Sequence, residues 1–298
     1  MIHRSLRPSL LCALVVATTT GYAAHASACL TTTCAVKDRP PSCVRDPATD
    51  CWLAGVPLQW LEPCVSFSVD ARGIPPLGLG YGDTEALVIS SFAIWTAVQC
   101  PGGFPSISVY SAGPAQCFRV EYNSEGPNSN AVIFQTSHWP HDPSAIGVTT
   151  VSFNPETGRI VDADIEVNLT GSGLDFLGIN YVLTHEAGHF YGIDHSRDTQ
   201  AVMFAQSNSS NFAMPPVLGA DDQNAICLAY PTARSVGLCD FEPEMGYSPV
   251  CGGDIVASCA IQRGGPRKPF GLDALLFFAA FVLLCCRHGR RVRNPQGE

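Results

Sequence analysis

The stretch from His185 to Ser196, which reads HEAGHFYGIDHS, organises the rest of the chain. His185 and His189 are four residues apart, so a helix would place their imidazoles one turn apart on the same face. Gly192 comes three residues later, where a left-handed residue can end a helix without a Cβ penalty. The chain can then turn back and bring His195 to the same point. Three neutral imidazoles that leave a fourth position open are typical of a catalytic zinc site.

Glu186 directly follows the first histidine and can lean toward the same metal ion without ligating it. A carboxylate in that position can accept a proton from a water molecule at the metal, so we interpret Glu186 as a general base. The alternative is an ordinary helix whose histidines are hydrogen-bonded polar groups. The added spacing of Gly192 and His195 argues against that alternative.

The pattern HExxHxxGxxH, followed by a nearby methionine, resembles the signature of the metzincin zinc metalloproteases. Ser196, directly after the third histidine, resembles the matrixin branch of that family. Met203, in Ala-Val-Met-Phe, resembles the family's Met-turn, which passes beneath the zinc ion. Ordinary core packing is the alternative role for this methionine.

The resemblance covers about residues 57–231 and implies an α+β fold. That fold has a twisted mixed β-sheet, a backing helix, a zinc-binding helix and a C-terminal helix. The family implies one catalytic Zn²⁺ ion, Glu186 as general base, and protein or peptide substrates selected by a pocket built largely by residues 201–216. The implied metal ligands are His185, His189 and His195, above a Met-turn at Met203.

Composition limits the other classes of function. The chain has 298 residues, of which 46% are hydrophobic and 14% charged, and its net charge is −9. That length allows one sizeable domain with appendages. An acidic balance, without a basic patch interleaved with aromatic residues, argues against a nucleic-acid partner.

Residues 1–28 are typical of a secretory signal peptide. Arg4 and Arg7 give a positively charged start, an apolar run follows, and Ala26-Ser27-Ala28 resembles a cleavage site. The alternative is a lipoprotein signal, because Cys29 would become the first mature residue. We therefore predict an exported protein.

Cysteine usage also indicates an oxidising compartment. The chain has 14 cysteines, and eleven remain when Cys12 in the signal and Cys285 and Cys286 near the C-terminus are set aside. Ten of the eleven could form five disulfides, but the sequence leaves their connectivity open. These ten are Cys29, Cys34, Cys43, Cys51, Cys64, Cys100, Cys117, Cys227, Cys239 and Cys251.

The segment at residues 29–56 is rich in Cys, Pro, Thr and Asp and lacks apolar periodicity. We predict a disulfide-tied N-terminal segment with little core of its own. Cys43, in Pro-Ser-Cys-Val-Arg-Asp, is loosely similar to the propeptide cysteine that keeps matrixins latent. A plain disulfide is the favoured role for it.

The C-terminal part predicts an anchor. Residues 232–269 indicate a cysteine-containing stalk, and residues 270–286 an apolar helix interrupted only by Asp273. The basic tail at residues 287–298 would lie in the cytoplasm, so the helix would hold the catalytic domain outside the membrane. The arrangement also resembles a myxobacterial-type C-terminal sorting signal, in which the helix is removed and a cysteine, here Cys259, anchors the protein at the cell surface.

Short strands around one early helix favour an α+β layer over a repeated βαβ unit. Apolar residues at Val88, Phe92 and Trp95 predict a core helix, because they fall at i, i+4 and i+7. Strands are predicted at residues 65–69, 107–110, 118–122, 132–135, 147–153 and 160–167; the zinc helix should begin between residues 175 and 180, and a last helix should cover about 221–230.

Two further groups of potential metal ligands lie outside the zinc motif. His138, His141 and Asp142 begin like the second, structural zinc site of matrixins, but no histidine follows before His185, so an exposed polar loop is favoured. The second group alternates along one predicted strand and could face a Ca²⁺ ion, with a solvent-exposed strand face as the favoured alternative. It consists of Asp162, Asp164 and Glu166.

The sequence therefore predicts an exported or surface-anchored zinc endopeptidase that hydrolyses extracellular proteins. An alternative from another class is a surface adhesion or binding protein with a structural zinc site, although such a site has no need of Glu186. A self-processing protease, whose only substrate is its own N-terminal segment, is a third interpretation.

Overall fold

The structure is a computed structural model and describes residues 28–206, 211–232 and 239–252. The predicted signal peptide up to residue 27, Cys259 and the predicted C-terminal helix lie outside these residues. Within the described ranges, no helix combines the length and the apolar character needed to cross a membrane.

Five strands form one mixed β-sheet with the order β2-β1-β3-β5-β4. Neighbouring strands are parallel except β4 and β5, which are antiparallel, and β4 lies at one edge of the sheet. The strands are β1 (Cys64–Asp70), β2 (Ser108–Ala115), β3 (Ala131–Gln135), β4 (Gly147–Phe153) and β5 (Ile160–Asn168).

Three α-helices complete the described fold: α1 (Tyr81–Thr96), α2 (Phe176–Phe190) and α3 (Ala220–Ala229). Single-turn 3₁₀ helices occur at Pro75–Leu77 and Asn211–Ala213. The predicted apolar stripe of α1 is buried, and the Phe92 ring stacks on Phe67 of β1 and meets Phe190 of α2 edge-on, at centroid distances of 4.6 and 4.9 Å. Aromatic pairs of this geometry add to the free energy of apolar burial, so they tie α1 and α2 to the sheet.

Local sequence signals set both ends of α2. At its start, the Asp175 carboxylate accepts a hydrogen bond from the Gly178 N–H at 2.8 Å, as an N-cap should. At its end, Gly192 adopts a φ of +80°, and a Cβ there would overlap the carbonyl of Leu58. Both the predicted start of the helix and the predicted left-handed glycine are confirmed.

The α+β class and five of the six predicted strands are confirmed, but the strand predicted at residues 118–122 is wrong. Its residues alternate in polarity, yet the backbone N–H of Glu121 donates to the Asp164 carboxylate at 2.9 Å rather than to a neighbouring strand. The disulfide Cys117–Cys251 fixes the same segment as a loop.

All ten of the predicted cysteines form disulfides. Two bonds, Cys29–Cys51 and Cys34–Cys43, close loops within the N-terminal segment, and the second leaves Cys43 no thiol for a latency switch. Cys100–Cys227 links the end of α1 to α3. The remaining two disulfides are Cys64–Cys239 and Cys117–Cys251. They bond residues 239–252 of the predicted stalk directly to the catalytic domain.

The alternating carboxylates of β5 are buried, each at most 2% exposed, so the predicted solvent-exposed face is wrong. The loop at residues 116–130 supplies some of the groups that meet them. Asp164 accepts the backbone N–H groups of Glu121 and Ala131, and Glu166 accepts the Gln135 amide. The oxygens of Asp164 and Glu166 already have partners, and the structure does not show a calcium site at these carboxylates.

Asp162 differs from its neighbours, because its Oδ1 is buried and has no hydrogen-bond partner among the described residues. Burial raises the pKa of Asp162 to about 9, and the negative charge of Asp164 contributes to the rise. The two backbone N–H donors favour the ionised form of Asp164, so we place the proton on Asp162.

We predict that Asp162→Asn raises the free energy of unfolding more at pH 8 than at pH 5. The pKa of Asp162 is about 9 in the folded chain against an ordinary 3.8, so folding takes up a proton and stability falls as the pH rises through that window. A neutral asparagine removes this dependence. Urea unfolding at both pH values measures the difference, with Asp38→Asn at an exposed position as the control. An equal gain at the two pH values would contradict the assignment.

Candidate active site

The three histidines of the motif converge at one point. His185 and His189 project from α2, and His195 reaches the same point from the turn that follows Gly192. One ring nitrogen of each lies within 4.8 Å of the others, and the Nε2 atoms of His189 and His195 are 3.2 Å apart. Donors this close can share one small cation.

Backbone carbonyls orient two of the imidazoles. Nδ1 of His185 lies 2.7 Å from the carbonyl O of Val202, and Nδ1 of His189 lies 2.9 Å from the carbonyl O of Ile193. A carbonyl oxygen only accepts, so the proton of each ring is on Nδ1 and Nε2 keeps its lone pair for a metal. Burial lowers the pKa of His185 to about 4 and that of His189 well below its ordinary value. The rings are therefore neutral, the form that ligates Zn²⁺, and the donor set fits that ion.

Glu186 lies on the same helix and lines the cleft beside the histidines. Its Oε2 accepts a hydrogen bond from the Thr149 hydroxyl of β4 at 2.7 Å. Burial raises the pKa of Glu186 to about 7, and the Thr149 hydrogen bond opposes that rise. A Cβ at Gly147 would come within 2.5 Å of the Glu186 carboxylate, so a larger residue there would displace the Glu186 side chain.

Met203 is buried against α2 and is 1% exposed. Its side chain packs against Gly188 of α2, where an added Cβ would overlap the thioether and come within 2.8 Å of the Trp95 ring. The glycine inside the zinc motif therefore lets the methionine turn approach the helix closely.

The turn that carries Met203 is held by α3 and by the residue after the third histidine. The Asp222 carboxylate accepts the backbone N–H groups of Val202 at 2.7 Å and Met203 at 3.1 Å. The Ser196 N–H donates to the Met203 carbonyl at 2.8 Å, and the Ser196 hydroxyl donates to Asp221. Ser196 thus joins the turn that carries His195 (the histidine turn, residues 192–195) to the turn that carries Met203 (the methionine turn, residues 202–203). It also contacts the start of α3.

An open cleft of about 770 Å³ runs over the three histidines and Glu186. The edge strand β4 forms one wall, and Tyr181, Val182 and Phe212 form an apolar end. The size and lining suit a polypeptide side chain entering beside the imidazoles.

Residues 128–231 match the Peptidase_M10 family model, described as Matrixin. The match supports a matrixin-like metzincin domain in this part of the chain. The match includes all three histidines, Glu186 and Met203, and it supports a zinc metalloprotease in general. The mixed sheet and its helices agree with that family. A search of curated proteins found no match to this chain.

The other predicted ligand groups do not form a metal site among the described residues. His141 pairs with Glu166 at 2.5 Å between Nε2 and Oε2, so it is not simply part of an exposed loop. His138 and Asp142 do not join it in a cluster of ligands. The one other cluster found in the described ranges contains Cys117 and Cys251, whose sulfurs are already bonded to each other.

Sequence reasoning missed the residues that hold the site from a distance. Thr149 and Gly147, on β4, contact Glu186 across nearly 40 positions of the chain, and no motif marks them. Asp222 was predicted only as a helix-start residue, and it does accept the Gly219 N–H at 2.8 Å. Its second role is to accept the N–H groups of Val202 and Met203. The adjacent aspartates at 221 and 222 were the sole signal of that role in the sequence.

We predict that Gly188→Ala destabilises the protein by roughly 1–3 kcal/mol, the usual cost of overpacking a core. The new Cβ must displace Met203 or Trp95, so zinc affinity should fall as well. Gly82→Ala in α1 is the matched control, because a Cβ there meets nothing within 4 Å. It should leave the protein unchanged or stabilise it by up to about 1 kcal/mol. Thermal unfolding of both variants checks this, and equal effects would contradict the packing argument.

We predict that His195→Ala lowers the zinc content of the purified protein, because two imidazoles from one helix remain as ligands. The measurement is metal analysis after dialysis, with His138→Ala as the control outside the ligand cluster. Full zinc occupancy in the His195 variant would contradict a three-histidine site.

Proposed function

We propose that this protein is an exported zinc endopeptidase that cleaves extracellular proteins with His185, His189 and His195 as zinc ligands and Glu186 as general base. The observation that carries the proposal is the convergence of three imidazoles beside a buried carboxylate in an open cleft. A structural zinc site would be closed by a fourth protein ligand, and none lies within the cluster among the described residues.

Zn²⁺ bound by the three Nε2 atoms would act as a Lewis acid that polarises a peptide carbonyl and lowers the pKa of a water molecule. Glu186 would accept the proton of the attacking water and deliver it to the leaving amine. Thr149 fixes one carboxylate oxygen and leaves Oε1 for the proton.

The position of β4 supports an extended peptide as the substrate. Among the described residues this strand pairs only with β5, so its outer edge offers free backbone N–H and C=O groups along the cleft. A peptide can add to such an edge as a further strand, with alternate side chains entering pockets. One side chain would then reach the apolar end formed by Tyr181, Val182 and Phe212.

The disulfides support an extracytoplasmic location, because five such bonds persist only in an oxidising compartment. Membrane anchoring by residues 270–286, or processing at Cys259, remains part of the proposal on sequence grounds. The two fates differ in the mass of the mature chain, which mass spectrometry of the surface protein would measure.

A surface binding protein with a structural zinc ion is the alternative. Glu186 favours the enzyme, because a binding protein gains nothing from burying a carboxylate beside the metal. Chelator-sensitive cleavage of casein by the wild-type protein separates the two. A zinc-loaded protein that cleaves neither casein nor a diverse peptide library would support the binding protein.

We predict that Glu186→Ala lowers kcat/KM about 10²–10⁴-fold and leaves zinc bound, because it removes the proton acceptor and no metal ligand. The measurement is peptide hydrolysis together with metal analysis. Glu156→Ala, in the exposed turn before β5, is the control. Unchanged turnover in the Glu186 variant would remove this residue from the mechanism.

A further inference from the structure

The N-terminal segment, residues 29–56, is built into the wall of the active-site cleft. Backbone hydrogen bonds join Thr31 N–H to the Gly192 carbonyl at 2.9 Å and Asp194 N–H to the Cys29 carbonyl at 3.0 Å. On its other side, the Leu58 N–H donates to the Thr31 carbonyl at 2.8 Å. The start of the segment therefore lies between the histidine turn and the chain that leads into β1.

Within this segment, residues 44–53 form a hairpin that carries Arg45. Arg45 and Trp52 are paired residues on its two arms, and the Arg45 guanidinium lies 4.2 Å from the centroid of the Trp52 ring. The guanidinium also donates to the Asp50 carbonyl at 2.6 Å. The Cys29–Cys51 disulfide bonds this hairpin to the residues that pair with the histidine turn.

Arg45 reaches the residue that precedes the third histidine. One of its terminal nitrogens lies 3.0 Å from Asp194 Oδ2 and donates to Oδ1 at 3.3 Å. The Asp194 side chain is only 8% exposed, and its Oδ1 also accepts the His195 backbone N–H at 2.8 Å. A buried carboxylate without a partner destabilises the fold. The Arg45 cation therefore stabilises the buried Asp194 carboxylate.

The segment does not fill the cleft in the way an inhibitory propeptide would. Thr31 and Ala35 line its wall, while all three histidines and Glu186 still face the open volume. Removing the segment would leave the Asp194 carboxylate without its cation, and the Gly192 carbonyl and the Asp194 N–H without their partners at Thr31 and Cys29.

We propose that residues 29–56 are retained in the mature protein as a permanent wall of the cleft, and that Arg45 is a positioning residue that holds the zinc ligand His195 through Asp194. This proposal rests on the proposed zinc site and adds the element that fixes its third ligand. It opposes the self-processing interpretation, in which this segment is the substrate to be removed.

The first test is the mature N-terminus of the active protein, determined by mass spectrometry. We expect a chain that begins at or before Cys29 with its disulfides intact. An active form that begins near Pro57 would overturn the proposal.

The second test compares Arg45→Met with Arg39→Met in the full chain. The Arg39 guanidinium also lies over the Trp52 ring, at 5.3 Å, but it makes no ion pair with Asp194 in the described residues. We expect Arg45→Met to weaken zinc binding about 10–100-fold, the usual effect of removing a group that orients a metal ligand. Arg39→Met should stay within about twofold, and Arg45→Lys should recover part of the loss. The readouts are zinc affinity by chelator competition and the visible spectrum of the Co²⁺-substituted protein.

A double-mutant cycle separates positioning from general stability. Asp194→Asn keeps an acceptor for the His195 N–H and removes the charge that Arg45 pairs with, so Arg45→Met should have no further effect on zinc affinity in that background. Additive losses, or an unchanged affinity in a folded Arg45→Met variant, would overturn the proposal. If Arg45→Met alone fails to fold, the double variant and Arg45→Lys carry the test, because neither leaves an unpaired buried charge.

These outcomes are distinguishable from failure of the proposed function. Zinc affinity is measured without a peptide. A wild-type protein that binds zinc and cleaves nothing would therefore contradict the proposed endopeptidase activity but not the role of Arg45. If the wild-type protein binds no zinc, the proposed function fails, and the mature N-terminus still decides whether the segment is retained.

Discussion

One carboxylate at the start of α3 connects most of the parts of the candidate site. Asp222 accepts the backbone N–H groups of Val202, Met203 and Gly219, and this fixes the turn between the last histidine and the last helix. The same turn offers the Val202 carbonyl to His185 and the Met203 side chain to Gly188. The orientation of His185 therefore depends on a helix that contributes no residue to the histidine cluster. Burial raises the pKa of Asp222 to about 6, while its three N–H partners hold the pKa down.

The site is supported by two segments that lie before and after it in the chain, residues 29–56 and α3. The turn at residues 192–194 has the N-terminal segment on one side and the end of α2 on the other. The turn at residues 202–203 has α3 behind it. The imidazoles of His185 and His189 are thus oriented by backbone segments that distant parts of the chain hold in place. These contacts between distant parts of the chain hold the three histidines of the candidate site close together.

Features that depend on near neighbours could be predicted from the sequence. The helical spacing of His185 and His189, the left-handed Gly192 and the start of the helix between residues 175 and 180 all follow from residues within one or two turns. The α+β class followed from the order of strand and helix patterns together with the resemblance to matrixins. These parts of the prediction agree with the structure.

Features that depend on distant pairs could not be predicted. Arg45 and Asp194 are 149 positions apart, and nothing in either stretch refers to the other. The alternating carboxylates of β5 show which residues share a face, but not that a loop covers that face. The same loop caused the error at residues 118–122, because an alternating pattern does not reveal that Asp164 takes the backbone N–H of Glu121. Disulfide connectivity was open for the same reason.

The Cys64–Cys239 bond has a consequence for the lifetime of the proposed enzyme. It joins residues 175 positions apart and so closes a covalent ring around nearly the whole domain. Endopeptidases at high local concentration encounter one another's surface loops as substrates. A single cut anywhere inside that ring leaves the two fragments bonded, and the cut ends stay beside each other. Such a nicked molecule would run as one species until a reductant is added, and self-digestion would require several cuts rather than one.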